Sequence, residues 1–267
     1  MPLMNLVLIA LIQGVTEFLP ISSSGHLALF PALTGEVDQG LAIDVAVHVG
    51  TLVAVVAFFR AEVRAAALGG VHVLLGRVST PEARLALLLA LSTVPVVLAG
   101  LALAAAGRMD VFRDVEVIAW ATLIFGLVLW LADRLGPRDR AAEGWTTRDA
   151  ALMGLAQVLA LIPGASRSGI TITAARALGY ARVDAARLAM LMSIPTILAA
   201  GAVTAKDLID TGDAALGADA AIAAGLACVS AFAALAVMMR MLRTWSLTPF
   251  VIYRLVLGSA LLIWLYA

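Results

Sequence analysis

The sequence has few charges and only one cysteine. Asp, Glu, Lys and Arg make up 13% of its 267 residues, whereas 63% are hydrophobic. The charged share is about half that of an ordinary soluble domain, which argues against a soluble enzyme. One cysteine, Cys228, excludes an internal disulfide framework and a thiol metal site. No Lys or Arg precedes Arg60, so the basic region of a secretory signal is missing and we expect the N-terminus to be retained.

The charges that are present balance one another. Eighteen basic residues oppose 18 acidic ones, and a net charge of zero argues against a nucleic-acid partner. A bilayer span needs about 20 apolar residues, and the long Ala, Leu and Val runs leave room for about eight to ten such segments. The pattern predicts an all-α polytopic membrane protein with a single integral membrane domain, 1–267. Uninterrupted apolar segments lie at about 41–59, 85–106, 115–132, 186–204, 219–239 and 249–266, and segments broken by Pro, Gly and Ser lie at about 3–34 and 150–182.

The charges of the connecting segments predict which side of the membrane each one faces. Arginines are concentrated in 60–84, 133–148 and 240–246, whereas 205–219 carries four Asp against one Lys. Because positive charge favours the cytoplasmic side, the three basic segments are expected in the cytoplasm. The loops 107–114 and 205–219 are then expected on the outer side.

The two halves of the chain resemble each other. Ser22-Ser23-Ser24-Gly25 and Ser166-Arg167-Ser168-Gly169 lie 144 positions apart, and each follows a glutamine and a proline. The segment 41–59 corresponds to 186–204, and likewise 85–106 to 219–239 and 115–132 to 249–266. The members of each pair run in opposite directions, because 41–59 ends at a basic loop and 186–204 at an acidic one. The sequence therefore predicts an inverted-topology repeat with halves at about 1–135 and 149–267.

The two broken segments complete this topology. With these loop assignments, residues 1–40 must end outside, and residues 149–184 must start and end in the cytoplasm. Each broken segment is therefore predicted to be a re-entrant hairpin. Irregular backbone at membrane depth is tolerated only when it is buried in protein or lines a wet cavity. We therefore expect the two hairpin tips to meet near the midplane and to form a site.

The first tip carries a carboxylate, serines and a histidine. Gln13 and Glu17 are four residues apart, on one face of a helix that ends near Pro20. A carboxylate inside an apolar segment is normally paired or bound to a metal. The run Ser22-Ser23-Ser24-Gly25 supplies hydroxyls and N–H groups that could bind an anion at a helix start. His26 adds a group that can transfer protons near neutral pH.

The second tip carries an arginine between two serines. Arg167 stands between Ser166 and Ser168, and its guanidinium group can bind two phosphate oxygens at once. A carboxylate such as Glu17 can hold a divalent cation, and Ser with His can supply a nucleophile and an acid/base. Together the two tips predict phosphoryl chemistry on an anionic lipid.

Each of these residues also has a structural interpretation. Glu17 and Arg167 could form only a buried salt bridge that holds the hairpins together. The serines could be packing residues or helix caps, and His26 could be a hydrogen-bonded core histidine. Asp44 and His48, on the next helix, are either partners of the site or a pair near the outer surface.

Other arginines in or beside the apolar segments receive a simpler interpretation. Arg176, Arg182 and Arg187 are expected near the cytoplasmic boundary. Arg254 follows Tyr253 in the last helix, where a long cationic side chain is expected to reach back to the interface.

These motifs resemble the undecaprenyl-diphosphate phosphatase family, also called the bacitracin-resistance family, along essentially the whole chain. The first signature, QxxxEFLPISSSGH, runs from Gln13 to His26, and the second, PGASRSG, runs from Pro163 to Gly169. The stretches 44–51 and 249–254 also look like family sequence. The resemblance implies an enzyme of the bacterial inner membrane that removes the terminal phosphate of undecaprenyl diphosphate and regenerates the carrier for peptidoglycan synthesis. It also implies a divalent cation, Mg2+ or Ca2+, and a site that opens to the outer, periplasmic side.

The resemblance further implies roles for individual residues. Glu17 would serve the metal or the diphosphate, and Gln13 fills the first position of the (E/Q)xxxE motif, where many members have Glu. Ser23 is the candidate nucleophile and His26 the candidate acid/base, with attack by serine, histidine or activated water left open. Arg167 would clamp phosphate. The remaining residues assigned to substrate binding are Ser22, Ser24, Ser166 and Ser168.

The main alternative is a transporter that flips a polyprenyl phosphate lipid, because inverted repeats with broken segments are a transporter architecture. A transporter would use Arg167 for binding without releasing phosphate, and it would tolerate Ser23→Ala and His26→Ala. A purely structural scaffold leaves the paired polar tips unexplained. The sequence leaves the oligomeric state open, and a homodimer is compatible with it.

Overall fold

The chain is built from α-helices. The structure, a computed structural model, describes residues 2–35, 40–107, 114–211 and 216–267, without side-chain detail at 33, 41 and 203–216. These residues form helices and no strand, which confirms the predicted all-α class. The α-helices are α1 Leu3–Phe18, α2 Ser23–Thr34, α3 Leu41–Phe58, α4 Arg60–Leu74, α5 Pro81–Ala105, α6 Val115–Leu135, α7 Thr147–Gln157, α8 Arg167–Ala177, α9 Arg182–Thr211, α10 Leu216–Met241 and α11 Thr248–Tyr266.

Several helices are long and apolar enough to cross a membrane. Five of them pass by length and composition: α5, α6, the Arg182–Ala202 part of α9, α10 and α11. Helices α3 and α4 form a sixth candidate together, with a bend of 94° between them. The predicted polytopic membrane protein is therefore confirmed. Among the described residues, α2, α7 and α8 are not candidates, as expected of re-entrant segments.

Two predicted loops are wrong in part. The basic segment 60–84 contains α4, whose arginines interrupt the apolar pattern that would have revealed a helix. Helix α5 begins at Pro81 and not at 85, because the Thr80 hydroxyl caps it and a proline suits the first helical position. Helix α9 continues to Thr211, so the loop predicted at 205–219 is shorter. Residues 108–113, most of the loop predicted at 107–114, and residues 212–215 lie outside the described residues.

The two hairpins meet at their tips. The first consists of α1 and α2, and the second of α7, a 3-10 turn at Val158–Leu161 and α8. Across the junction, the Gly164 N–H donates to the Ser22 hydroxyl at 3.1 Å, and the Ser168 hydroxyl donates to the Leu19 carbonyl oxygen at 2.9 Å. The contact between the tips is as predicted, and their depth in the membrane stays a prediction.

Helix packing follows the correspondence between the halves. Helix α1 packs on α10 while its counterpart α7 packs on α5, and α3 packs on α10 while its counterpart α9 packs on α5. Such paired contacts are typical of a repeat in which corresponding helices of the two halves pack on corresponding partners. The opposite membrane orientation of the halves stays a prediction, as does the division at about 1–135 and 149–267.

The main apolar core surrounds the hairpins and holds them inside the protein. It combines Phe18 of α1, Leu129 of α6 and Met153 of α7 with Ile172 of α8 and Met190 of α9, each of them fully buried. Burying such side chains stabilises a structure by about 1.5–3 kcal/mol each. The broken segments are therefore packed against protein, where irregular backbone is tolerated.

The buried carboxylate of Asp133 connects the end of α6 to the end of α8, the start of α9 and the turn before α11. Asp133, at the end of α6, accepts hydrogen bonds from Arg176 Nε at 3.1 Å and from Arg182 Nε at 2.8 Å. It also accepts the N–H of Leu247, just before α11, at 3.3 Å. Because Arg176 is fully buried, this network is structural and fixes the C-terminal end of α8 relative to α6 and α9.

A second carboxylate anchors the start of α7, outside the candidate spans. Asp149 accepts hydrogen bonds from Arg140 at 2.5 Å, from the Thr146 hydroxyl at 2.7 Å and from the Tyr180 hydroxyl at 2.7 Å. Burial acts to raise the pKa of Asp149, but these hydrogen bonds outweigh it and lower the pKa to about 2. The second hairpin thus starts from a fixed ionised carboxylate.

Candidate functional site

Two serines adopt the same rare backbone conformation, one at each tip. Ser22 has φ 75° and Ser166 φ 71°, the positive values among the described non-glycine residues. This conformation costs a non-glycine residue about 1–3 kcal/mol. Each serine offsets part of that cost by capping the next helix, because its hydroxyl accepts the N–H of Gly25 or of Gly169. The two SxSG motifs of the sequence therefore form the same capped turn.

Glu17 lies where the two hairpins join. Its Oε1 accepts a hydrogen bond from Arg167 Nη2 at 2.6 Å, between residues 150 apart in the sequence. Its Oε2 accepts from Gln13 Nε2 at 2.8 Å, one helical turn earlier, and from the Ser23 hydroxyl at 2.5 Å. The predicted convergence is confirmed by these contacts, and the buried salt bridge of the structural interpretation is also present.

Two buried polar atoms at this junction have no hydrogen-bond partner among the residues that the structure describes. They are Nη1 of Arg167 and Oε1 of Gln13. An unpaired buried donor or acceptor costs about 1–3 kcal/mol, so each such atom calls for an explanation. Arg167 Nη1 offers a donor to an anion, and Gln13 Oε1 offers an oxygen to a cation or a donor.

The donor set around Glu17 fits a hard divalent cation that is completed by substrate. Mg2+ is commonly held by one or two carboxylates together with phosphate oxygens and waters. Glu17 supplies the carboxylate, and Gln13 Oε1 is an oxygen that has no partner within the described part of the chain. Within the described ranges there is no group of three or more His, Cys, Asp or Glu, so a closed all-protein metal cage is not present there.

His26 is held between the first tip and the last helix. Its Nδ1 lies 2.6 Å from the carbonyl oxygen of Ser22, and its Nε2 lies 2.5 Å from the hydroxyl of Tyr253. The His26 and Tyr253 rings stack, with centroids 5.7 Å apart and planes 14° apart. The Ser23 hydroxyl is directed at Glu17 and not at His26. Sequence reasoning did not include Tyr253 in the site.

His48 of α3 joins the site from a third direction. Its Nε2 lies 3.9 Å from Glu17 Oε2, while its Nδ1 donates to the Asp44 carbonyl oxygen at 2.7 Å. Of the two alternatives for this pair, the contact supports the one in which His48 is a partner of the site.

Arg254 is buried at the junction, so the prediction that it reaches back to the interface is wrong. Its side chain is fully buried, and its guanidinium group donates five hydrogen bonds to carbonyl oxygens. The acceptors belong to both tips and to α6: Pro20, Ala121, Thr122, Gly164 and Ala165. Five carbonyl dipoles compensate the charge without a carboxylate. Arg254 therefore clamps both tips against α6. One signal could have found it, since an ionisable residue inside an apolar span is a functional hypothesis by default.

The serines assigned to substrate binding occupy different positions. Ser22, Ser166 and Ser168 are buried and make the caps and cross-tip bonds described above. Ser24 is exposed, with its hydroxyl 3.4 Å from that of Ser22. A direct role of these serines in substrate binding stays a prediction.

Comparisons with known proteins agree with the motifs. The family model described as bacitracin resistance protein BacA matches residues 6–260. Over 267 residues and the full length of both chains, this protein is 58% identical to the undecaprenyl-diphosphatase of Roseobacter denitrificans. The undecaprenyl-diphosphatase of Maricaulis maris is 50% identical over 98% of this chain and 99% of its own. For undecaprenyl-diphosphatase 1 of Rhodospirillum rubrum the identity is 47%, over 98% and 95%. With nearly its whole length matched, the chain belongs to the bacitracin resistance protein BacA family.

Proposed function

We propose that this protein is an undecaprenyl-diphosphate phosphatase, which hydrolyses the terminal phosphate of the lipid diphosphate and leaves undecaprenyl phosphate. Relatives at 50% and 58% identity over nearly the whole chain carry the name undecaprenyl-diphosphatase. One structural observation carries the proposal. Arg167 bonds to Glu17 through Nη2, while its buried Nη1 has no hydrogen-bond partner among the described residues, and the same Glu17 accepts the Ser23 hydroxyl.

The charges at the junction favour an anionic substrate. Arg167 and Arg254 bring two positive charges to the junction, and Glu17 brings one negative charge. The carbonyl dipoles around Arg254 solvate its charge but leave the net charge of these three groups positive, so a bound anion lowers the electrostatic free energy of the junction. A diphosphate supplies that negative charge, and Arg167 Nη1 supplies a donor for one of its oxygens.

The contacts of Ser23 support a reaction in two steps. As the Ser23 oxygen attacks the terminal phosphorus, its proton passes to Glu17 Oε2, which lies 2.5 Å away. A bond forms between this oxygen and phosphorus, the bond from phosphorus to the bridging oxygen breaks, and undecaprenyl phosphate leaves. The oxygen of a water molecule then bonds to the phosphorus of the phosphoserine and the bond from phosphorus to the Ser23 oxygen breaks. Glu17 returns its proton to that oxygen, which restores the hydroxyl and releases inorganic phosphate. His26 Nε2 is the group we assign to accept the proton of that water.

A divalent cation, Mg2+ or Ca2+, belongs to this proposal. Glu17 and Gln13 would hold it, because Glu17 provides a carboxylate and Gln13 an amide oxygen to which no described residue donates. When bound, the ion supplies charge neutralisation at the diphosphate oxygens. Ser24, exposed beside the tip, would contact the headgroup, while Ser22, Ser166 and Ser168 would act through the turns that they hold.

The location of the site is also proposed. We place the protein in the bacterial inner membrane, with the polyprenyl tail among the apolar helices and the site open to the periplasm, as a homodimer or a monomer. A single cysteine at Asp139, between α6 and α7, tests the orientation once Cys228 is replaced by alanine. An impermeant maleimide should label it only after the cells are permeabilised, and labelling of intact spheroplasts from outside would contradict the topology.

The activity is tested by phosphate release from undecaprenyl diphosphate in detergent, with and without a chelator. We expect release that the chelator abolishes and that Arg167→Gln lowers by a factor of about 100 or more. Arg64→Gln, on the exposed side of α4, is the matched control and should keep full activity. A folded wild-type protein that binds the lipid but releases no phosphate would overturn the phosphatase and support the transporter alternative.

A further inference from the structure

The hydrogen bonds of His26 determine which of its ring nitrogens carries the proton. The Ser22 carbonyl oxygen can only accept, so His26 Nδ1, at 2.6 Å from it, must donate. In the neutral ring Nε2 then has a lone pair, and the Tyr253 hydroxyl at 2.5 Å donates to it. The unusual backbone of Ser22, with φ 75°, directs that carbonyl oxygen at the ring. Both ring nitrogens are thus held, one by the first tip and one by the last helix.

The position of Tyr253 places this pair at the edge of the site. Tyr253 is 41% exposed, whereas Arg254, the next residue on α11, is fully buried in the junction. His26 is half-buried, and Ser24, on the same turn, is exposed. Arg254 of α11 therefore holds the two tips, and the adjacent Tyr253 holds His26.

We propose that Tyr253 is a positioning residue for His26. Its hydroxyl fixes the imidazole plane and keeps Nε2 on the side of α11. Under the proposed function, on which this inference rests, the attacking water replaces the Tyr253 hydroxyl at the single lone pair of Nε2 and gives its proton to that nitrogen, so Tyr253 sets the orientation of the ring before this step. A histidine held at one nitrogen only could turn about its Cβ–Cγ bond, and the correct orientation would be lost for part of the time.

Removing the hydroxyl while keeping the ring tests this role. Tyr253→Phe preserves the stacking on His26 and should lower kcat by a factor of about ten, with KM and the unfolding temperature unchanged. Tyr266→Phe is the matched control, because Tyr266 lies on the same helix and its hydroxyl bonds to Glu116, away from the tips. The control should keep the wild-type kcat.

A spectroscopic measurement separates positioning from packing and does not depend on activity. In protein labelled with 15N-histidine, at about pH 8 where an ordinary histidine is neutral, the His26 signals are assigned by their loss in His26→Gln. We expect a protonated Nδ1 in both wild type and Tyr253→Phe. The Nε2 resonance should shift downfield in Tyr253→Phe, toward that of a nitrogen that accepts no hydrogen bond.

The outcomes are distinct. An inactive wild type refutes the proposed function, and the Nε2 resonance still decides whether Tyr253 holds His26. An active wild type, with an unshifted Nε2 resonance or an undiminished kcat in Tyr253→Phe, overturns the positioning role. A lower activity matched by an equal loss of folded protein also overturns it, since packing alone would then explain the effect.

Discussion

Replacing Arg254 by lysine should loosen the junction between the hairpins. The guanidinium group donates five hydrogen bonds to carbonyl oxygens of both tips and of α6, whereas an ammonium group has three N–H donors. Arg254→Lys therefore loses at least two bonds while it keeps the charge. Hydrogen bonds to charged groups contribute about 1.5–3 kcal/mol each, so the expected loss of stability is at least about 3 kcal/mol.

Thermal unfolding in detergent, followed by tryptophan fluorescence, measures this loss. For a chain of this size about 3 kcal/mol corresponds to a fall of about 6–12 °C in the unfolding temperature. Arg243→Lys, an exposed arginine in the turn before α11, is the control and should unfold with the wild type. If Arg254→Lys also unfolds with the wild type and keeps its activity, then Arg254 does not clamp the tips and the reasoning is refuted.

Five further substitutions probe three separate contacts by the same unfolding measurement. Ser22→Ala should cost about 2 kcal/mol, and Ser166→Ala only about 1, because Ser22 also accepts an N–H from the other tip; equal losses would argue against the cross-tip bond. Gly69→Ala should destabilise, since a Cβ there would lie 1.9 Å from a backbone oxygen of α5, whereas Gly70→Ala faces open space and should stabilise by up to about 1 kcal/mol; the reverse order would contradict the α4–α5 packing. Asp149 has a pKa of about 2 when folded, below the unfolded value, so it contributes about 2 kcal/mol that is complete above about pH 4 and is lost as the pH falls toward 2. The gap between wild type and Asp149→Asn should shrink over that range, and a constant gap would be inconsistent with this pKa.

The parts of the fold that follow local rules could be predicted from the sequence. Apolar length locates the spans, and Pro, Gly and Ser locate the breaks. The pairing of Glu17 with Arg167 across 150 residues followed from a repeat argument, because both lie beside the same SxSG turn. In these cases the feature depends on one stretch of sequence, or on its repeat, and not on packing between distant helices.

The parts that depend on packing between distant helices could not be predicted in the same way. An arginine in the last helix fits the sequence equally well whether it turns outward or inward. Its inward direction depends on α6, where Gly126 leaves room: a Cβ there would lie 3.1 Å from the Arg254 Cβ. The same rotation of α11 brings Tyr253 to His26, residues 227 apart in the sequence. Helix α4 was missed because its arginines obscure the apolar pattern.

The central claim is that the two hairpin tips form one catalytic site, and a double-mutant cycle on phosphate release tests it most directly. Glu17→Gln, Arg167→Gln and the double variant are compared with wild type by kcat/KM for undecaprenyl diphosphate. The account predicts that each single change lowers kcat/KM by a factor of about 100 or more. It also predicts that the double variant is little worse than the poorer single one, because groups that act as a unit are not additive. Losses that multiply independently, or a single variant with full activity, would contradict it.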